Sequence, residues 1–235
     1  MEFLVAGYEI IEQKPGLKGV YEACELPGRI CYGSQDKIEP GSSEPFVKRL
    51  IDSNHGAPLE HGTVYLHLNI PRETNVKWGK EDLYKIFLKS FFNNNPYSRV
   101  VEKDNDYYIT TNLRVIFENK IEDKTILDIV KEHPEMFCET PTEYHEKRVS
   151  VRIICSRGVS HEAVRHRTMS FCQTSQRYVN YTLDKFGNEI TFIIPEWIYD
   201  IQSEEASYNN RDYLMELKGE ELIDEVKDNI DDIKK

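Results

Sequence analysis

Along Val64-Tyr65-Leu66-His67-Leu68-Asn69-Ile70, apolar and polar side chains alternate with period two. That is the pattern of a half-buried strand. Arg148-Val149-Ser150-Val151-Arg152-Ile153-Ile154 repeats the alternation and predicts a second strand. Ile190-Thr191-Phe192-Ile193-Ile194 is a third β-like run, stopped by Pro195. Helical spacing appears elsewhere. Phe46, Val47, Leu50 and Ile51 predict a short amphipathic helix over 44–54, ended by the polar turn Asn54-His55-Gly56-Ala57-Pro58. A further helix is expected over 83–92, with a loop at Asn93-Asn94-Asn95-Pro96. Residues 1–35 predict a strand followed by a short helix or loop. After a break at Gly158 a helix is expected over 159–167. The pattern over 107–117 suits strand and helix equally. Residues 168–181, rich in Ser, Gln, Tyr and Asn, predict an irregular hydrogen-bonding segment. Near the end, Leu222, Ile223, Val226, Ile230 and Ile233 form one helical stripe. The expected fold is α/β (α+β), a mixed or antiparallel sheet flanked by helices.

Composition narrows the classes. The chain has 235 residues, 39% hydrophobic and 30% charged, which suits a folded globular protein. Net charge is −11. A chain this acidic is a poor general nucleic-acid binder, because that function needs a basic face to neutralise phosphates. A local arginine cluster can still reverse the field in one cleft. No stretch of about 18 apolar residues is present to span a membrane. The N-terminus lacks the basic and apolar regions of a signal peptide. The five cysteines form no C-x-x-C pair, so neither a disulfide framework nor a zinc ribbon is expected, and no metal site. Reduced thiols in a cytoplasmic protein are the simplest reading. Cys155 and Cys172 are expected to be buried small hydrophobes rather than nucleophiles.

The candidate chemistry lies in Arg165-His166-Arg167-Thr168-Met169-Ser170-Phe171-Cys172-Gln173-Thr174-Ser175-Gln176-Arg177-Tyr178. It gathers three arginines and a histidine in an otherwise acidic chain. Arginine presents a permanently charged planar fork that matches phosphate. On a helix, Arg165 and Arg167 would point in different directions and could hold separate anionic groups. Ser175 and Arg177 could share one phosphate, and Gln173 and Gln176 carry the donors and acceptors of a base reader. The same residues are also compatible with a solvated basic patch paired with the acidic surface.

Arg165-His166-Arg167, seven residues and then Ser175 resembles the signature of the flavin-dependent thymidylate synthases. The run from Arg157-Gly158-Val159-Ser160-His161-Glu162 through Asn180-Tyr181 is similar to one branch of that family. Upstream, Asn54-His55-Gly56-Ala57-Pro58-Leu59-Glu60-His61 resembles its His/Glu-His segment, and Gly28-Arg29-Ile30-Cys31-Tyr32 its N-terminal arginine segment. The resemblance covers roughly residues 1–70 and 145–200. It implies one domain over 1–235, with 71–145 as an insertion.

The resemblance implies methylation of dUMP to dTMP with FAD as cofactor, and NADPH and methylenetetrahydrofolate as co-substrates. No enzyme thiolate is required. His55, Ala57, Glu60, Arg165, His166, Arg167 and Gln173 would lie along FAD. Glu162, Arg165, Gln173, Thr174, Ser175, Gln176 and Arg177 would hold dUMP, with Ser175 and Arg177 at its phosphate. Glu162 stands where many members have glutamine, and Cys172-Gln173 where many have asparagine and glutamate. The family implies a homotetramer. Its uracil-activating arginine belongs to a C-terminal part, whereas Arg211 is the only arginine here after Arg177. The chain is therefore expected to stop before that catalytic segment. The alternative function is a non-catalytic or fragmentary flavin- or nucleotide-binding protein. Two simpler roles also remain: His55 and His61 as caps of backbone groups, and Glu60 as a surface acid.

Overall fold

The run that alternates around Leu66 forms strand β3 (Thr63–Asn69) in the middle of a sheet, where β-branched and aromatic side chains pack best. The computed structural model describes residues 2–70, 79–166, 169–175 and 191–194. These divide into two units, residues 12–70, 79–150 and 169–175 in the larger and residues 2–11, 151–166 and 191–194 in the smaller.

The larger unit opens with α1 (Gly16–Tyr32) and α2 (Ser43–Asp52). A 3-10 turn, Ala57–His61, leads into β3. Then follow α3 (Lys80–Asn94), β4 (Arg99–Lys103), β5 (Asp106–Asn112) and α4 (Leu113–Glu118). A small hairpin, β6 (Lys120–Ile121) with β7 (Lys124–Thr125), precedes α5 (Ile126–Glu132), and β8 (Phe137–Cys138) closes the sheet. The strand order is β4-β5-β3-β8, antiparallel throughout, with Leu66 opposite Ile109 and Phe137. Val64, Leu66 and Leu68 join Val20 and Cys24 of α1, Leu50 of α2, Leu88 and Phe92 of α3, and Ile116 and Ile129 of α4 and α5 in one buried cluster.

β3 is more buried than the half-buried strand expected from its alternation. The segment around His145 covers the other face. His145 stands edge-on to Tyr65 at 5.2 Å, and its Nε2 donates to the Leu66 carbonyl at 3.1 Å.

The ambiguous run over 107–117 is both strand and helix. The switch is Asn112, whose side-chain oxygen accepts from the Val115 N–H at 3.0 Å and caps α4. The N-terminal helix is also longer than expected, 17 residues, because Val20, Tyr21 and Cys24 bury one of its faces and tolerate Pro27 within it. α1 ends on Gly33 in the left-handed region (φ 57°), where glycine carries no steric penalty. Gly62 answers a close approach: a Cβ there would meet Cys24 Sγ at 2.5 Å and the Val20 carbonyl at 2.9 Å.

In the smaller unit, β1 (Glu2–Val5) pairs in parallel with β10 (Thr191–Ile194), and β2 (Gly7–Ile11) pairs with β9 (Ser150–Ile154). α6 spans Arg157–Ala163, with Ser156 as its N-cap. The helix expected over 159–167 therefore begins earlier and ends earlier. Arg165 lies beyond it in a turn, so the helical argument that separated Arg165 from Arg167 does not apply. Arg167, Gln176, Arg177, Tyr178 and the acidic tail lie outside the described residues. Among the described residues no helix is long and apolar enough to cross a membrane.

Candidate functional site

Within the larger unit, three stretches far apart in sequence meet: the end of α1, the turn after α2, and residues 170–175. The turn is anchored first. Asn54 takes a positive φ of 56°, and the His55 N–H returns to the Leu50 carbonyl at 2.8 Å. Pro58 and Leu59 are buried, and the Leu59 carbonyl accepts from the Cys24 thiol at 3.8 Å. With that backbone held, His55 and Glu60 face outward from a fixed frame, each partly exposed, with partly exposed Ala57 between them.

His55 shares a 2.7 Å hydrogen bond between its Nδ1 and the hydroxyl of Tyr32, the last residue of α1. The two rings stand edge to face at 5.5 Å. With the phenol donating, the imidazole proton sits on Nε2. His55 is thus oriented by a side chain as well as by its own backbone, more than a capping role requires.

Glu60 is held from two sides. Arg114 Nη1 donates to its Oε1 at 2.6 Å, and the Ser170 hydroxyl donates to its Oε2. Arg114 also donates from Nε to Glu118 at 2.8 Å, and these two carboxylates raise the guanidinium pKa further. Glu60 is therefore a bridging group and not an idle surface acid. His61 beside it is pushed down from the ordinary histidine value, by burial first, against the opposing Glu60 charge. Its Nε2 is buried with no hydrogen-bond partner among the described residues.

Residues 170–175 run irregularly, as their composition predicts, and are tied down at two further points. The Ser175 N–H donates to the Cys31 carbonyl at 3.2 Å. The Cys31 thiol accepts hydrogen bonds from the Cys172 thiol and from the Gln173 N–H. Cys172 is thus only partly buried, as is Cys155, where both were expected to be buried. Gln173 and Thr174 project exposed side chains from this docked segment, and Ser175 is partly exposed.

Glu162, Arg165 and His166 belong to the smaller unit, and all three are exposed. Arg165 Nη1 lies 3.6 Å from Glu162 Oε2, with both side chains over two-thirds exposed. Such a pair holds its partners weakly, so the guanidinium stays available for another anion.

Arg29, central to the N-terminal arginine segment, is committed elsewhere. It is buried, pairs with Glu25 at 2.9 Å and lies 4.3 Å from the centre of the Phe46 ring. Sequence reasoning did not single out Tyr32, Arg114 or Ser170 as site residues. The i,i+4 spacing of Arg114 and Glu118 was visible, but nothing local linked Arg114 to Glu60. Among the described residues no cluster of His, Cys, Asp and Glu is placed to hold a metal ion.

A family model described as Thymidylate synthase complementing protein matches residues 99–234. The chain is also similar to the flavin-dependent thymidylate synthase of Pyrococcus furiosus, with 52% identity over 44 residues. That stretch spans 19% of this chain and 17% of the relative's length. No solved structure matches.

Proposed function

From the chain's membership in the thymidylate synthase complementing protein family, the flavin-dependent thymidylate synthases, we propose that it binds FAD and methylates dUMP to dTMP, using methylenetetrahydrofolate and NADPH. The observation that carries this reading is the docking of residues 170–175 onto the His55–Glu60 turn and the end of α1. Two blocks that resemble the family's flavin and nucleotide segments, more than a hundred residues apart, thereby share one surface.

The residues present fit a flavin. His55 is oriented by Tyr32, Glu60 is charge-balanced by Arg114, and the buried Nε2 of His61 has an unmet hydrogen bond. A ring system with edge donors and acceptors suits such a surface. His55, Ala57, Glu60 and Gln173 would hold it, with Arg165, His166 and Arg167 supplying positive charge to its phosphates. When bound and reduced, the flavin supplies the hydride chemistry that no side chain can. The chain's own residues bind and orient. Gln173, Thr174 and Gln176 would read the uracil edge, Ser175 and Arg177 would hold the phosphate, and the family resemblance adds Glu162 and Arg165 to the residues that bind the nucleotide. Holding two reactants in register is worth several kcal/mol of the barrier. The family resemblance further implies a homotetramer, and the cysteine pattern suits a reducing, cytoplasmic setting.

The test is direct. The purified protein is scanned for flavin absorbance, titrated with dUMP, and assayed for dTMP with methylenetetrahydrofolate, NADPH and FAD. Flavin absorbance and dUMP binding are the expected result, with little dTMP formed because Arg211 is the only arginine after Arg177; robust turnover would show that these residues also supply the uracil-activating group. Flavin and dUMP binding with no dTMP at all would favour the non-catalytic reading. Absence of both would defeat the proposal.

A further inference from the structure

Of the five cysteines, only Cys31 and Cys172 have each other's thiol as a hydrogen-bond partner among the described residues. Both are partly exposed and neither is in a disulfide. Their backbones are also tied: the Cys31 carbonyl accepts from the Ser175 N–H at 3.2 Å, and the Gln173 N–H points at the Cys31 sulfur. The remaining thiols differ. Cys24 is fully buried and is pushed up to about 12 by burial. Burial also raises Cys138. Cys155 belongs to the smaller unit.

We propose that Cys31 and Cys172 are a modification site, a thiol pair that hydrogen peroxide closes to a disulfide, clamping residues 172–175 onto the end of α1. The roles within the pair are unequal. Cys31 receives two hydrogen bonds, the larger effect from Cys172, and these outweigh burial and lower its pKa. The thiolate is the reactive form of cysteine, so Cys31 reacts first. Cys172 donates that hydrogen bond and is partly buried; both effects raise its pKa and keep it protonated until Cys31 has changed.

The Cys31 thiolate attacks one peroxide oxygen, the O–O bond breaks, hydroxide leaves, and Cys31 becomes a sulfenic acid. The Cys172 sulfur then attacks the Cys31 sulfur. The S–S bond forms, the S–O bond breaks, and the Cys172 proton leaves with that hydroxide as water. The two thiols together lose two electrons and the peroxide gains two. A dithiol reductant reverses the change by exchange. A disulfide spans about 2.05 Å, far shorter than a hydrogen bond between sulfurs, so closure draws Cys172 and the adjoining Gln173 toward α1. Any consequence for nucleotide binding rests on the proposed function. The disulfide itself does not.

The test treats the full chain with hydrogen peroxide, blocks remaining thiols and maps the non-reduced digest by mass spectrometry. The expected result is a cross-linked peptide joining Cys31 to Cys172, with free thiols falling from five to three and returning with dithiothreitol. In Cys172→Ser, dimedone should trap a sulfenic acid on Cys31. Five thiols surviving peroxide, a cross-link to another cysteine, or dimedone on Cys155 in place of Cys31 would each overturn the assignment. A parallel dUMP titration should show binding lost on oxidation and regained on reduction. Unchanged binding in the cross-linked protein would overturn the clamp. A reduced protein that never binds dUMP would count against the nucleotide reading, with the cross-link still decided by the peptide map.

Discussion

Arg114 donates to the Glu60 carboxylate at 2.6 Å across 54 positions of sequence, while the other oxygen of that carboxylate takes the Ser170 hydroxyl. One acid thereby joins α4, the turn before β3 and the segment that resembles the family signature. Arg114 is 40% and Glu60 25% exposed, so solvent screens the pair and its weight is positional rather than energetic.

Glu60→Ala should lower global stability by no more than about 1 kcal/mol in urea unfolding, the ceiling for a partly exposed pair. Flavin affinity should fall by a larger factor, because both Ser170 and Arg114 lose their common partner. Wild-type flavin titration curves in this variant would remove Glu60 from the proposed site.

Ser175→Ala and Arg177→Ala should each weaken dUMP binding roughly 10- to 100-fold, the usual effect of losing one hydrogen bond to a charged group, about 1.5–3 kcal/mol. Calorimetric titration reads this directly. If both variants match wild type, the phosphate is held elsewhere.

Asn112→Ala removes the cap that turns β5 into α4 and should destabilise the protein by about 1 kcal/mol, within a range of roughly 0.5–2. Asn112→Asp keeps an acceptor for the Val115 N–H and should lose less. Urea midpoints for the two variants decide the matter, and equal losses would argue against the cap.

His145 ties its segment to β3, and its protonation should be felt in stability. Nδ1 accepts from the Thr142 N–H at 3.0 Å and Nε2 donates to the Leu66 carbonyl, an arrangement that only the neutral ring satisfies. Burial holds its pKa below the ordinary 6.5. The unfolded chain therefore binds the proton more readily than the folded one, so stability is full above 6.5 and is lost as pH falls toward the folded value. His61 is lowered in the same direction and adds to the slope. Thermal melts of wild type should drop between about pH 7.5 and 5.5, and His145→Gln should flatten part of that drop. An unchanged slope in the variant would assign the effect to other groups.

Local information sufficed wherever an element carries its own period or stop. Phe46, Val47, Leu50 and Ile51 marked α2, the alternation from Val64 marked β3, and the polar run after Met169 marked an irregular segment. Each rests on side-chain periodicity set by backbone geometry, which does not depend on distant residues. The order of the His55–Glu60 block and the Arg165–Ser175 block was equally legible, because it is a linear property. Contacts were not. Asn112 could be read as a cap only once Leu113 and Ile116 had entered the core and made the following turn helical. The burial of Tyr65 depended on a segment eighty positions later folding over it. The pairings Glu60–Arg114, Tyr32–His55 and Cys31–Cys172 join residues with no common local pattern. Their partners are chosen by which elements the buried cluster around Leu66 brings together, and that choice belongs to the tertiary structure alone.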